Sequence, residues 1–236
     1  MKRDVQPEPV SVDAADDRVT AGQAVYAPLS LAVYDFIVHG LSNHALWRCP
    51  TRDLQELYDR NVSARHVDVG VGTGYFLSHA RWPVERPQVT LVDLNPHCLS
   101  RAARRIARLK PERVKANVLE PWPAEAMGSS YLSAGLCYLL HCVPGAIPQK
   151  AAVCDHLQPH HAPGARIFGA TIVQGDAPRN GAARALMAAY NRKGVFSNEQ
   201  DRVEDLDAAL RLRFDDVRVR LAGCVALFEA RARSAS

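Results

Sequence analysis

The sequence predicts an α/β fold built on a mainly parallel sheet, with helices on both faces and an antiparallel strand pair at its C-terminal end. Three observations lead there. From residue 64 onward, short apolar runs alternate with segments of helical period, as in strands joined by crossover helices. The first of these runs, HVDVG, enters a glycine-rich turn, GVGTGYFL, at 70–77. The run DVRVRLAGCVALFEARAR, at 216–233, carries two strand-like halves around Ala222-Gly223. No crossover helix fits between those halves, so they pair antiparallel.

Residues 1–23 read as a flexible tail, because MKRDVQPEPVSVDAADDR has basic residues but no apolar segment behind them, which argues against a secretory leader. Residues 24–62 read as a helical lid or cover. SLAVYDFIVHGL, at 30–41, repeats apolar residues at spacings of three and four, and Thr51 stands where it would cap a helix through DLQELYDRN. Helices placed before the first strand either lie across a pocket mouth or cover an edge of the sheet. Residues 63–236 hold the sheet domain. HVDVG is strand one and GYFLSHA starts a helix. QVTLVD is strand two, with an arginine-bearing helix after it. RVKANVL is strand three, and LSAGLCYLLHC holds a fourth that ends near Leu140. AAVCDHLQ is helical and RIFGATIV is strand five. Two helices, at 180–190 and in EDLDAALRLRF, precede the terminal pair.

A chain of 236 residues with 47% hydrophobic content can bury one large core, and no apolar run reaches the length of a membrane span. The cysteines form no CxxC pair and no finger spacing, so they read as separate reduced thiols in a cytoplasmic protein, with no metal site. The NVS sequon at 61–63 then reads as chance. A net charge of +4 is modest. In SRAARRIARLKPERVK, Leu99, Ala103, Ile106 and Leu109 make an apolar stripe. Arg101, Arg104, Arg105 and Arg108 lie around it as a solvated helix surface, and no nucleic-acid partner is expected.

Gly70, Gly72 and Gly74 follow a G-x-G-x-G spacing. A dinucleotide fingerprint wants its third glycine one place later, where this chain has Tyr75. An adenosine ligand without a pyrophosphate does not need that approach. Asp93 ends strand two in VTLVDLNP, where a carboxylate can accept two hydrogen bonds from ribose hydroxyls. Asp68, just before the first glycine, either orders the turn or meets the amino end of a cofactor.

These stretches, with KANVLEP and LCYLLHCVPG, resemble the class I S-adenosylmethionine-dependent methyltransferases of the small-molecule type. The resemblance covers residues 64–233 and includes the terminal antiparallel pair of that Rossmann-like fold. It implies S-adenosyl-L-methionine as cofactor and S-adenosyl-L-homocysteine as product. Gly70, Gly72 and Gly74 would lie against the methionine part, with Asp68 near its amino end. Asp93 would bind the ribose, and Leu94 and Val118 would pack against the adenine. Asn117 stands where the family usually has an aspartate facing the adenine amino group, and its side-chain oxygen can still accept. Two further departures are Leu132 in place of an acid at the start of strand four and Ala165 in the turn before strand five.

Methyl transfer needs an acceptor atom in line with the departing sulfur, helped by a base where the acceptor arrives protonated. His141, at the mouth end of strand four, is the candidate base; it could equally orient a backbone carbonyl, bind substrate or brace the loop. Cys142 reads as wall. Thr171 and Gln174 leave strand five toward the acceptor. Tyr190, Asn191, Phe196 and Asn198 form one wall, with Asn198 as a helix cap in the plainer reading. Tyr34, His39 and Trp47 read as lid contacts, with Tyr34 as a core or interface aromatic in the plainer reading. These side chains suit a small organic methyl acceptor with a polar handle. The acceptor atom can be O, N or C, and the protein a monomer or homodimer. HCVPG does not match the Pro-Pro-aromatic motif of DNA amino methyltransferases. Two other classes stay open on sequence: a methyltransferase-like protein that binds the cofactor without transferring methyl, and a nicotinamide oxidoreductase.

Overall fold

The computed structural model describes residues 46–234 apart from 124 and 129, so Tyr34 and His39 lie outside the described residues. The first helix, α1 (Thr51–Asn61), starts at Thr51, with Pro50 in the cap position, so Thr51 is inside the helix and does not precede it. It buries Leu54, Leu57 and Tyr58; the Tyr58 ring stacks on Phe76 and meets Phe168 edge-on. This part of the N-terminal region therefore covers a face of the sheet.

The chain then runs through β1 (Arg65–Val69), α2 (Tyr75–His79), β2 (Gln88–Asp93), α3 (Pro96–Arg105) and β3 (Glu112–Lys115). Next come β4 (Tyr131–Cys137), α4 (Ile147–Lys150), α5 (Ala152–Leu157) and β5 (His161–Ile172). The last elements are α6 (Gly181–Arg192), α7 (Val203–Arg211), β6 (Phe214–Ala222) and β7 (Val225–Ala232). The strand order is β3-β2-β1-β4-β5-β7-β6. The first five strands are parallel, and β7 runs antiparallel to both β5 and β6, as the sequence predicts. Val67, Val69, Leu91, Val92, Ala134, Leu136, Ile167 and Phe168 are fully buried in the central strands, as a sheet covered on both faces requires.

Three strand ends depart from the sequence reading. β3 stops at Lys115, which leaves Asn117 in a turn. β4 stops at Cys137, because Tyr138 takes φ 57° and redirects the chain; His141 therefore sits in a single helical turn and not on the strand. β5 begins at His161. Tyr131 pairs with His161 but Ser133 pairs with Arg166, so Pro163, Gly164 and Ala165 form a bulge within the strand, not a turn before it. The buried stripe of α3 runs through Leu99, Ala102 and Ile106, while Arg104, Arg105 and Arg108 are exposed. All six cysteines are free thiols. No helix among the described residues is long and apolar enough to cross a membrane.

Candidate active site

Strand order reverses between β1 and β4, and the crevice beyond the C-terminal strand ends at such a point is where open α/β sheets bind ligands. A cleft lies there. Gly70 and Gly72 line it from the loop after β1, and Asp93, Leu94 and Asn95 from the end of β2. Asn117, Val118 and Leu119 follow β3; Tyr138, Leu139, Cys142, Val143 and Pro144 follow β4; Val195 closes the far side.

The three glycines do different work. A side-chain carbon on Gly70 would come within 2.7 Å of Leu139, while one on Gly72 would meet nothing within 4 Å; both residues have positive φ. Only glycine keeps that turn low and unstrained. Gly74 does not line the cleft. It precedes α2 at φ 69°, and a Cβ there would stand 2.9 Å from the Ala102 backbone, so it lets α2 and α3 pack closely.

Asp93 accepts hydrogen bonds from the Asn95 N–H at 2.9 Å and the Gly72 N–H at 3.3 Å. Burial pushes its carboxyl up to about 6. The two backbone donors pull it back, and the charge of Asp68 adds a smaller upward push. A carboxylate has about four lone-pair sites, so capacity remains toward the cleft. The Asn117 oxygen accepts from the Leu119 N–H at 3.1 Å and keeps a second lone pair; its amide donates to Glu120 at 2.8 Å.

Asp68 is not on the cleft wall. It is 2% exposed and accepts from the Tyr58 hydroxyl at 2.9 Å; His66 Nε2 stands 3.3 Å from the same oxygen, and His66 Nδ1 stands 2.8 Å from Ser133 Oγ. It orders the strand beneath the turn.

His141 also departs from its expected place. It is 2% exposed and lies behind the wall, its ring edge-on to Phe196 at 4.6 Å. Burial, helped by the charge of Lys150, pushes its imidazole down to about 3. That makes the imidazole a weak base, and its ring is turned away from solvent. Its carbonyl accepts from the Ser197 N–H at 2.8 Å, so it braces the loop. Cys142 does face the cleft, and burial pushes its thiol up to about 12, which keeps it protonated and makes it wall.

A second cavity adjoins the cleft and shares Cys142 and Pro144 with it; Asn191, Phe196, Ser197 and the exposed Arg192, Lys193 and Glu199 also line it. Three acceptor candidates, Cys142, Asn191 and Phe196, thus come together. The other described candidates do not line that cavity. Tyr190 meets Phe196 edge-on at 4.9 Å, and Thr171 is fully buried in β5. Trp47 is 2% exposed, and its carbonyl accepts from the Cys224 N–H at 3.0 Å. Asn198 caps no helix. Fully buried, it donates to the Ile172 carbonyl and accepts from the side-chain amides of Gln174 and Asn191.

No family model matches the chain. It is 39% identical over 215 residues to the demethylluteothin O-methyltransferase of Streptomyces thioluteus, covering 91% of this chain and 93% of that one. It is 34% identical over 210 residues to the physcion biosynthesis cluster O-methyltransferase of Aspergillus chevalieri, covering 89% and 94%. The N-methyltransferase vrtF of Penicillium aethiopicum is 34% identical over 190 residues, 78% of this chain and 76% of that one. Among solved structures, the DhpI-SAH complex is similar in fold with a TM-score of 0.65 at 12% identity, covering 95% of this chain and 99% of the other.

The chain belongs to the class I S-adenosylmethionine-dependent methyltransferases.

This methyltransferase moves a methyl group from S-adenosylmethionine to a small organic molecule. The comparisons lend no support to a protein that binds the cofactor without transfer. The cleft suits the donor chemically: a low glycine turn, a desolvated carboxylate with lone pairs to offer, and the apolar Leu94 and Val118 stand around one space. Sequence reasoning passed over Asn95, Leu119, Tyr138, Leu139, Val143, Pro144 and Val195. Of these only Asn95 carried a local signal, as a helix cap before Pro96, and its side chain does accept from the His97 N–H.

Proposed function

We propose that this methyltransferase methylates an oxygen of a small organic acceptor, with the donor in the cleft and the acceptor in the adjoining cavity. The observation that carries the reading is the wall the two spaces share, Cys142 and Pro144. A common border puts a donor and an acceptor side by side, as in-line attack requires. The choice of oxygen rests on the names of the relatives at 39% and 34% identity. S-adenosylmethionine supplies a methyl group already activated by a positively charged sulfur. In this reading Asp93 accepts from both ribose hydroxyls, and Gly70 and Gly72 leave room for the methionine part. Leu94 and Val118 pack on the adenine, and the second lone pair of Asn117 takes its amino group.

With His141 enclosed and the Cys142 thiol pushed up by burial, an acceptor that arrives ionised, such as an acidic phenol or an enol, suits the described walls best. Its oxyanion forms a bond to the methyl carbon, and the electron pair of the breaking carbon–sulfur bond stays on sulfur. Proximity and the exclusion of water supply the acceleration.

Calorimetry tests the donor site first. S-adenosylmethionine and S-adenosylhomocysteine should bind and NADH should not, and Asp93→Ala should weaken both by about a hundredfold or more, the loss of two hydrogen bonds to a charged group. Equal affinity in the variant would remove Asp93 from the site. With demethylluteothin as the first acceptor probe, the rate of S-adenosylhomocysteine release should rise with pH up to the acceptor's own pKa. A break that follows the enzyme for every acceptor would restore a protein base.

A further inference from the structure

Lys150, at the end of α4, is completely buried. Its ammonium donates to the Asp201 carboxylate and to the Ser197 carbonyl, each at 2.6 Å. Asp201 is also fully buried, and its other carboxylate oxygen has no hydrogen-bond partner. Desolvating two charges costs about as much as their attraction returns, and a well-packed apolar pair often serves stability as well. A pair left with an unpartnered oxygen is a poor stabiliser, so its use must be sought in what it holds.

It holds residues 195–201. The Ser197 N–H reaches the His141 carbonyl, and the Asp201 carbonyl accepts from the Gln174 N–H at 2.7 Å. This segment carries Phe196 and Ser197 into the lining of the acceptor cavity, which Cys142 and Pro144, on the stretch leading into α4, also line. Lys150 therefore ties the two walls together from behind, without touching either ligand space.

We propose that Lys150 is a positioning residue that fixes the width of the acceptor cavity by clamping residues 195–201 to α4. The inference rests on reading that cavity as the acceptor's. The test compares Lys150→Met, the apolar pair Lys150→Met/Asp201→Leu, and Phe196→Ala. Hydrogen exchange of the unliganded chain should show the 195–201 amides opening about tenfold faster in the apolar pair, with the sheet amides unchanged, whereas Lys150→Met leaves Asp201 unpaired and lowers global stability as well. The apolar pair should keep the melting temperature of the parent, and S-adenosylhomocysteine affinity, which Val195 of the same segment touches, should fall by a smaller factor than the acceptor KM rises. With demethylluteothin as the probe, KM should rise about tenfold while kcat changes less than about threefold. In the apolar pair, unchanged exchange at 195–201, or exchange that quickens across the whole sheet as the melting temperature falls, would overturn the clamp. Phe196→Ala judges the cavity separately: an unchanged acceptor KM there discards the acceptor reading, while exchange still decides the clamp. If neither Lys150 variant folds, Asp201→Asn keeps the shape, removes the charge and is read by the same criteria.

Discussion

At position 141 a buried imidazole links the fold to pH. The ordinary value is 6.5 and the folded ring sits at about 3, so between these values the unfolded chain binds the extra proton. The contribution of His141 is present above about 6.5 and is lost as pH falls toward 3. Asp93 has the opposite sign. Its folded carboxyl, at about 6, keeps a proton that the unfolded chain loses above 3.8, so its contribution is present at low pH and is lost as pH rises through 6. Asp201, also pushed up to about 6 by burial, acts like Asp93. A difference measurement isolates the histidine. Relative to the parent, His141→Phe should gain about 2 kcal/mol between pH 7 and pH 5 in urea unfolding. Single residues were legible where a strand end fixes their place, as for Gly70, Gly72, Asp93 and Leu94. For Asp68 the ordering alternative was legible but its partners Tyr58 and His66 were not, and the packing of Gly74 on the Ala102 backbone was hidden in the same way, because Tyr58 and Ala102 belong to other elements.

Elements were read well in type and less well at their ends. The α6 helix starts where its cap says it should: the Asn180 side chain accepts from the Ala183 N–H at 2.7 Å. Asn180→Ala should cost about 1 kcal/mol in thermal unfolding, with donor affinity unchanged. An unchanged melting temperature would mean the cap is replaced by water. The end of β4 was hidden because LCYLL continues the apolar pattern past Cys137, and nothing in a tyrosine announces the left-handed backbone of Tyr138. On α4 a signal existed. Lys150 stands on the apolar face beside Ile147 and Ala151, an odd place for a lysine, but its partner lies 51 residues away and no local pattern points to it.

Over the whole molecule, β5 is the seam between the parallel and antiparallel parts of the sheet. A methyl group on Gly169 would run into the Leu136 carbonyl on one side and the Phe228 ring on the other. Gly169→Ala should therefore destabilise the chain by about 3 kcal/mol in urea unfolding, with loss of both neighbours' exchange protection. The seam also sets an order of assembly. β7 fits between β5 and β6 but is made after both, so as the chain leaves the ribosome β5 has no neighbour on that side. Its open edge carries the backbone of IFGATI, a stretch that nascent chains would share with one another if it stayed bare. The hairpin turning at Gly223 is thus a late cover, and its arrival makes an adhesive border into the interior of a finished sheet.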